Sequence, residues 1–250
     1  MDSTKNRNVV LVPSKNRPDR IKECLLALVE NSSISDICIC LNHDDNSLDR
    51  YLEVLDELKV TKYQIDVHLT SGNNMISSLN EVAMKLTREY DFMTFLGDDQ
   101  IVSTPGWDSI MSEPLENKIG FSYPNDLHQG EALPTSVMLN SRIIRYLGFF
   151  AVPNFKHLYI DNVWLEMGKN LKNINYFENV IVEHMHYTLG KSKVDETYEN
   201  NNSQESYTIG SKQFEKYMRK RFKYDMRKIR VKEFFYSLLQ NKAQNKQLKK

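Results

Sequence analysis

Four clusters of polar side chains follow short apolar runs in the first hundred residues: Ser14-Lys15-Asn16-Arg17, Asp44-Asp45, Asn73-Asn74 and Asp98-Asp99. One acidic pair in a loop is ordinary turn chemistry. Two such pairs on one edge, facing a basic loop, are a different matter, because adjacent carboxylates repel and raise each other's pKa unless a cation neutralises them. A divalent metal suits Asp98-Asp99, since carboxylates are hard oxygen ligands. The segment VPSKNRP (12–18) has neither the glycines of a dinucleotide fingerprint nor the GK[ST] of a phosphate loop. Its backbone is not shaped to wrap a pyrophosphate. A nucleotide there would be held by side chains and by a metal bridging its diphosphate, with Lys and Arg assisting.

The second half of the chain adds further polar groups. His184-Met185-His186 ends an apolar run, and two-residue spacing in a strand puts both imidazoles on one side, as metal or phosphate contacts or as structural groups. Lys191 and Lys193 lie within the polar stretch Gly190–Gln204, which reads as a loop or lid; they clamp a diphosphate on closure or stay solvated. Tyr123, Asn125, Asp126 and His128, between a strand and a turn, are placed to line an acceptor or sugar pocket. His43 and His157 read as loop polar groups, Trp107 and Trp164 as packing anchors.

Alternating elements must position these clusters. Val9–Val12, Ile37–Leu41, Gln64–Leu69 and Phe92–Leu96 read as buried strands. Between them, helical spacing joins Ile21, Leu25, Leu28 and Val29 behind Pro18, then Leu48, Leu52, Leu55 and Leu58, then Ile76–Tyr90. This rhythm predicts an α/β fold with a mostly parallel sheet covered on both faces. In such sheets ligands bind beyond the carboxyl ends of the strands, where all four clusters fall. After Ile101 the rhythm changes: a short helix opens at Pro105-Gly106-Trp107, and Ile119–Tyr123 and Pro134–Leu139 read as strands. Ser141–Leu147 is a helix stopped by Gly148, Asp161–Leu171 another with Val163, Trp164 and Met167 on one face, and Val180–Val182 a last short strand.

The chain has 250 residues, enough for one large domain or two small ones. Its 33 Lys+Arg cancel its 33 Asp+Glu, and 40% of its residues are hydrophobic, which excludes disorder over most of its length. The apolar runs fall short of the ~20 residues of a membrane span. The first residues, MDSTKNRN, lack a signal peptide's apolar core, and Cys24, Cys38 and Cys40 read as buried thiols in a reducing, cytoplasmic setting. The zero net charge conceals a division. From Lys212 to Lys250 there are 14 Lys+Arg against Glu215, Asp225 and Glu233, a net of +11, which leaves −11 on residues 1–211. We therefore expect an acidic body, 1–211, and a basic helical extension, 212–250, able to dock on that body or to contact a polyanion.

The order of VPSKNRP, LNHDDNS (41–47) and FLGDDQ (95–100) resembles family 2-like glycosyltransferases of the GT-A fold. TPGWD (104–108), HLYIDNVWLEMG (157–168) and EHMHYTLGKSKVD (183–195) resemble a subgroup found in bacteriophage genomes, and the resemblance covers about residues 8–200. It implies a GT-A-type sheet flanked by helices, with a basic C-terminal arm. It also implies transfer of a sugar from a nucleotide-diphosphate donor, foremost a UDP-sugar, using Mn²⁺ or Mg²⁺. Pro13, Ser14 and Arg17 would line the nucleotide pocket, Asp45 or Asp44 would read the base, and Asn80, Asp98 and Lys191 would stand on the nucleotide side. Asp99 matches the metal-binding Asp of the D-x-D motif, whose first Asp is replaced by Gly97, and His184 or His186 matches a late metal or phosphate contact. Asp161 falls where the family places its acceptor-side base; a helix N-cap is the competing role. Inversion follows if that base acts in line with departure. The resemblance does not identify the acceptor, for which DNA, protein and glycan stay open. The competing functions are a nucleic-acid-binding or scaffold protein acting through the basic segment, and a sugar-phosphate nucleotidyltransferase, which would want a glycine-rich first loop.

Overall fold

Residues 7–58, 65–185 and 203–247 are described by the structure, a computed structural model. The first half alternates as the periodicity requires: β1 (Asn8–Pro13), α1 (Pro18–Asn31), β2 (Ser35–Asn42), α2 (Leu48–Leu58), β3 (Ile65–Thr70), α3 (Met75–Leu86) and β4 (Phe92–Phe95). Pro18 opens α1, where its missing N–H costs nothing. Asn74 and Ser77 start α3 with a reciprocal capping box. The predicted extension of that helix to Tyr90 does not form: the chain turns after Leu86, and Tyr90 instead donates its hydroxyl to Asp36 (2.9 Å).

The second half comprises β5 (Gln100–Val102), α4 (Trp107–Glu116), β6 (Phe121–Asn125), a 3₁₀ turn (Gly130–Ala132), β7 (Val137–Asn140), α5 (Ser141–Leu147), α6 (Ile160–Leu171) and β8 (Ile174–His184). Gly148 ends α5 in the left-handed conformation (φ +89°), as expected of a helix stop. Two features depart from the sequence reading. β5 was not foreseen, and the last strand begins at Ile174 rather than Val180. The polar residues Asn175, Glu178 and Asn179 obscure it by breaking the apolar pattern, and the register against β6 shifts between Pro124 and Asn125.

All strands join one sheet in the order β3-β2-β1-β4-β7-β6-β8-β5. β1 to β4 pair in parallel, β7 runs antiparallel between β4 and β6, and β8 pairs parallel to β6 and antiparallel to β5. Val9 and Leu11 enter the core on one face with α3, α5 and α6; Val10 and Val12 enter the core on the other with α1, α2 and α4. The chain finishes in α7 (Gln204–Tyr217), a π-helical turn (Met218–Phe222) and α8 (Lys223–Gln247). Helix starts at Gln204 rather than near Lys212, so the charge boundary falls inside α7. Tyr217, Met226 and Ile229 are buried in the α3/α5/α6 core.

Candidate functional site

The end of β1 and the loop after it are built from side-chain bonds rather than glycines. Ser14 Oγ donates to Asp98 Oδ2 (2.6 Å) and lies 2.7 Å from the Tyr51 hydroxyl, which also accepts the Arg17 N–H (2.9 Å). Asn16 adopts the left-handed conformation (φ +56°), and its N–H donates to Asp45 Oδ2 (2.9 Å). This loop forms one side of a cavity of about 680 Å³. Pro13, Ser14, Arg17 and Asp98 line it.

Three other residues expected on the nucleotide side sit outside that lining. Asp45 is buried and committed to the Asn16 and Ser47 N–H groups, so it shapes the loop. Asp44 is exposed, 3.7 Å from Lys15 Nζ. Asn80 accepts from the N–H groups of Phe150 (2.7 Å) and Ala151 (2.9 Å) and donates to the Ala151 carbonyl (2.8 Å), which clamps the segment before α6. The cavity also takes His157, Met75 and, from α7, Ser206 and Gln213. Sequence reasoning missed these. His157 lies inside a quoted motif, whereas nothing in the polar run around Ser206 marks it.

The two carboxylates after β4 have separate surroundings. Asp98 faces inward to Ser14 and to Arg17 Nη1 (3.3 Å), and burial, reinforced by the neighbouring Asp99 charge, pushes its pKa up to about 6. Asp99 faces His184, with Oδ2 3.5 Å from Nε2. Burial opposes its ionisation, yet the hydrogen bond and charge of His184 outweigh this and hold it below the usual carboxylate range. Strand register creates the pair: β5 sets Gln100 opposite His184, and the Met185 N–H donates to the Asp99 carbonyl (2.8 Å). Behind His184, Asp126 Oδ2 lies 3.9 Å from Nδ1. Asp126 is fixed by the N–H groups of His128, Gln129 and Gly130 and by the Thr135 hydroxyl. Burial pushes His184 toward neutrality, but Asp126 and Asp99 overcome it and raise its pKa to about 9.

Gly97, where the common motif has Asp, lets the Asp99 carboxylate fold back, since a Cβ there would stand 2.8 Å from Asp99 Oδ1. Among the described residues no three His, Cys, Asp or Glu side chains converge as a metal cage. One carboxylate and one imidazole 3.5 Å apart can still both reach an ion with bonds of about 2.1 Å. Once His184 gives up its proton, that donor set would fit a divalent cation. His186 and Lys191 lie outside the described residues.

Asp161 is in the first turn of α6, behind Tyr159, which holds the N-cap position in the left-handed conformation (φ +70°). Asp161 thus lies inside the first turn rather than at the N-cap position, and the Tyr159 side chain makes no cap hydrogen bond. The Asp161 carboxylate accepts the Asn162 N–H (2.8 Å), and burial pushes its pKa up to about 6. A carboxyl poised this close to neutrality suits proton abstraction.

A family model described as Glycosyl transferase family 2 matches residues 9–199. Among solved structures, a TarS fragment (1–349) from S. aureus in complex with UDP superposes with a TM-score of 0.56 at 12% identity, over 70% of this chain and 59% of that one. Mannosyltransferase PcManGT from Pyrobaculum calidifontis, in complex with GDP-Man and Mn²⁺, gives 0.54 at 9% identity, over 91% and 74%. Glucosyl-3-phosphoglycerate synthase from Mycobacterium tuberculosis, with Mn²⁺, UDP and phosphoglyceric acid, gives 0.51 at 11% identity, over 74% of each chain. At these identities the likeness is one of fold. No curated protein matches the chain.

Proposed function

The chain belongs to glycosyl transferase family 2, and from that premise we propose that it transfers a sugar from a UDP-sugar donor to an acceptor hydroxyl. The observation that carries this reading is the separation of two adjacent carboxylates: Asp98 is bound inward to the nucleotide-side loop, and Asp99 is paired outward with His184. The nucleotide would occupy the cavity against Pro13, Ser14 and Arg17. Asp44 is the candidate for contact with the base, since Asp45 is committed to its own loop. Two of the similar structures hold UDP and one holds GDP-Man, which supports a nucleotide-sugar donor and makes UDP the first to test.

Asp99 and His184, with His186 as a further imidazole, would hold Mn²⁺ or Mg²⁺. When bound, the ion neutralises the charge that develops on the departing diphosphate. Arg17, which lines the cavity, and Lys191, outside the described residues, are the cations proposed for the diphosphate. Asp161 takes the acceptor hydroxyl proton. The acceptor oxygen then bonds to the anomeric carbon as that carbon's bond to the diphosphate oxygen breaks, and attack opposite the leaving group inverts the configuration.

Calorimetric titration of UDP with and without Mn²⁺ tests the reading. Binding should depend on Mn²⁺, and Asp99→Ala should remove the Mn²⁺-dependent part while leaving the fold intact by circular dichroism. Equal UDP affinity with and without the metal would sink the metal assignment.

A further inference from the structure

α8 is packed against the body on one side only. Asp225, Met226 and Ile229 are buried, and Glu233 reaches back to Arg142 (3.0 and 3.2 Å) and to the Tyr146 hydroxyl (2.9 Å). The opposite face is apolar. Tyr224, Val231, Phe235 and Leu238 recur at intervals of seven, four and three residues, one face of a helix, and Phe234 and Leu239 flank them. Exposure is large: Phe234 61%, Phe235 59% and Leu239 66%.

Charge follows the same division. From Arg219 to Lys242 there are nine Lys+Arg and two acids, Asp225 and Glu233. Asp225 is fully buried against Tyr217 and Arg221, and Glu233 is held by Arg142, so both acids point at the body. Arg219, Lys220, Lys223, Arg227 and Lys242 are exposed, whereas Arg221 bonds Asp225 and Lys228, Arg230 and Lys232 reach Leu147, Asn170 and Tyr146 of the body. The outer surface of α8 is thus a row of large apolar side chains among cations, with no acid on that face.

We propose that this face is a docking surface for an anionic lipid bilayer, with α8 lying in the plane of the headgroups. Only this occupant satisfies both halves of the surface: the interface takes the aromatic and aliphatic side chains, and anionic headgroups take the cations. A second copy of the chain would set Arg227 and its neighbours against the same cations. A nucleic acid would meet the charges but leave Phe234, Phe235 and Leu238 in water. No described helix is long and apolar enough to cross the membrane, so contact is along the surface.

Co-sedimentation of the whole chain with vesicles tests this, using phosphatidylcholine alone and phosphatidylcholine with a minority of phosphatidylglycerol. Binding should favour the anionic vesicles by ~tenfold or more, fall with salt, and drop by ~tenfold in Phe234→Ser/Phe235→Ser/Leu238→Ser. The triple variant should keep the parent Tm, since these side chains face away from the core. In Phe234→Trp, the added indole should shift its emission to the blue on anionic vesicles. Equal binding to neutral vesicles, no blue shift, or salt-sensitive binding untouched by the triple variant overturns the proposal, the last pointing to a polyanion such as nucleic acid. A sedimenting mass that falls in the triple variant without vesicles overturns it in favour of self-association.

Discussion

Asp161 combines a half-buried site, one backbone N–H partner and a pKa raised to about 6. Because its pKa in the fold lies above its unfolded value, this group's contribution to stability is complete below about pH 4 and is lost as pH rises through about 6. Asp161→Asn should therefore raise the Tm at pH 7 relative to the parent, with the difference vanishing near pH 4, while transfer falls by ~10²–10⁴-fold. In the parent, kcat/KM should decline as pH drops through about 6. Differential scanning calorimetry paired with a pH–rate profile checks both halves. A loss of activity together with a loss of stability would instead mark a structural residue. In the sequence the acidic pair, the histidine pair and the glycine-poor first loop all point to side-chain and metal chemistry. What they do not show is which of two like residues does what. Asp44 and Asp45 are equivalent in sequence, and only the Asn16 and Ser47 N–H groups commit Asp45 to the loop. His157 enters the cavity because tertiary packing carries it beside Met75, 3.3 Å away, and no local pattern encodes that.

At the scale of elements, Asn80 acts as a clamp, joining α3 to the Phe150–Ala151 backbone ahead of α6 through three hydrogen bonds. Asn80→Ala leaves two N–H groups and a carbonyl without those partners. It should cost about 1–3 kcal/mol, read as a lower midpoint in urea, with UDP affinity unchanged because Asn80 does not line the cavity. Weakened UDP binding at unchanged stability would restore the nucleotide-side role. In the parallel half of the sheet β1, β2 and β4 are legible because strands buried on both faces read as nearly unbroken apolar runs, whereas the edge strand β3 alternates with Asp66 and His68. The antiparallel half is less legible. β5 is three residues long and β8 carries Asn and Glu, yet their pairing is what brings Asp99 and His184 together. Asp99 and His184 are visible as candidates in the sequence, and the ladder that brings them together is not.

Across the whole molecule, zero net charge is the sum of an acidic body and a basic C-terminal segment held together by a few defined contacts. Glu233 is the main clasp, accepting two bonds from Arg142 and one from Tyr146, and it is about four-fifths shielded. Glu233→Ala should lower the Tm and expose the α5–α8 seam to faster hydrogen exchange, with the seam around Arg142 affected first. An unchanged exchange profile would show that Met226 and Ile229 suffice to seat the helix. Between the helix that walls the cavity and the helix that presents the apolar row stands the π-helical turn Met218–Phe222. Such a turn sets rotational phase. Each residue of a helix advances the face by about 100°, so deleting one residue there would swing everything downstream by that angle. Glu233 would leave Arg142, and the row of Phe235 and Leu238 would point elsewhere. The turn is the indexing device that lets one continuous column show one azimuth to the cavity and another to the outside.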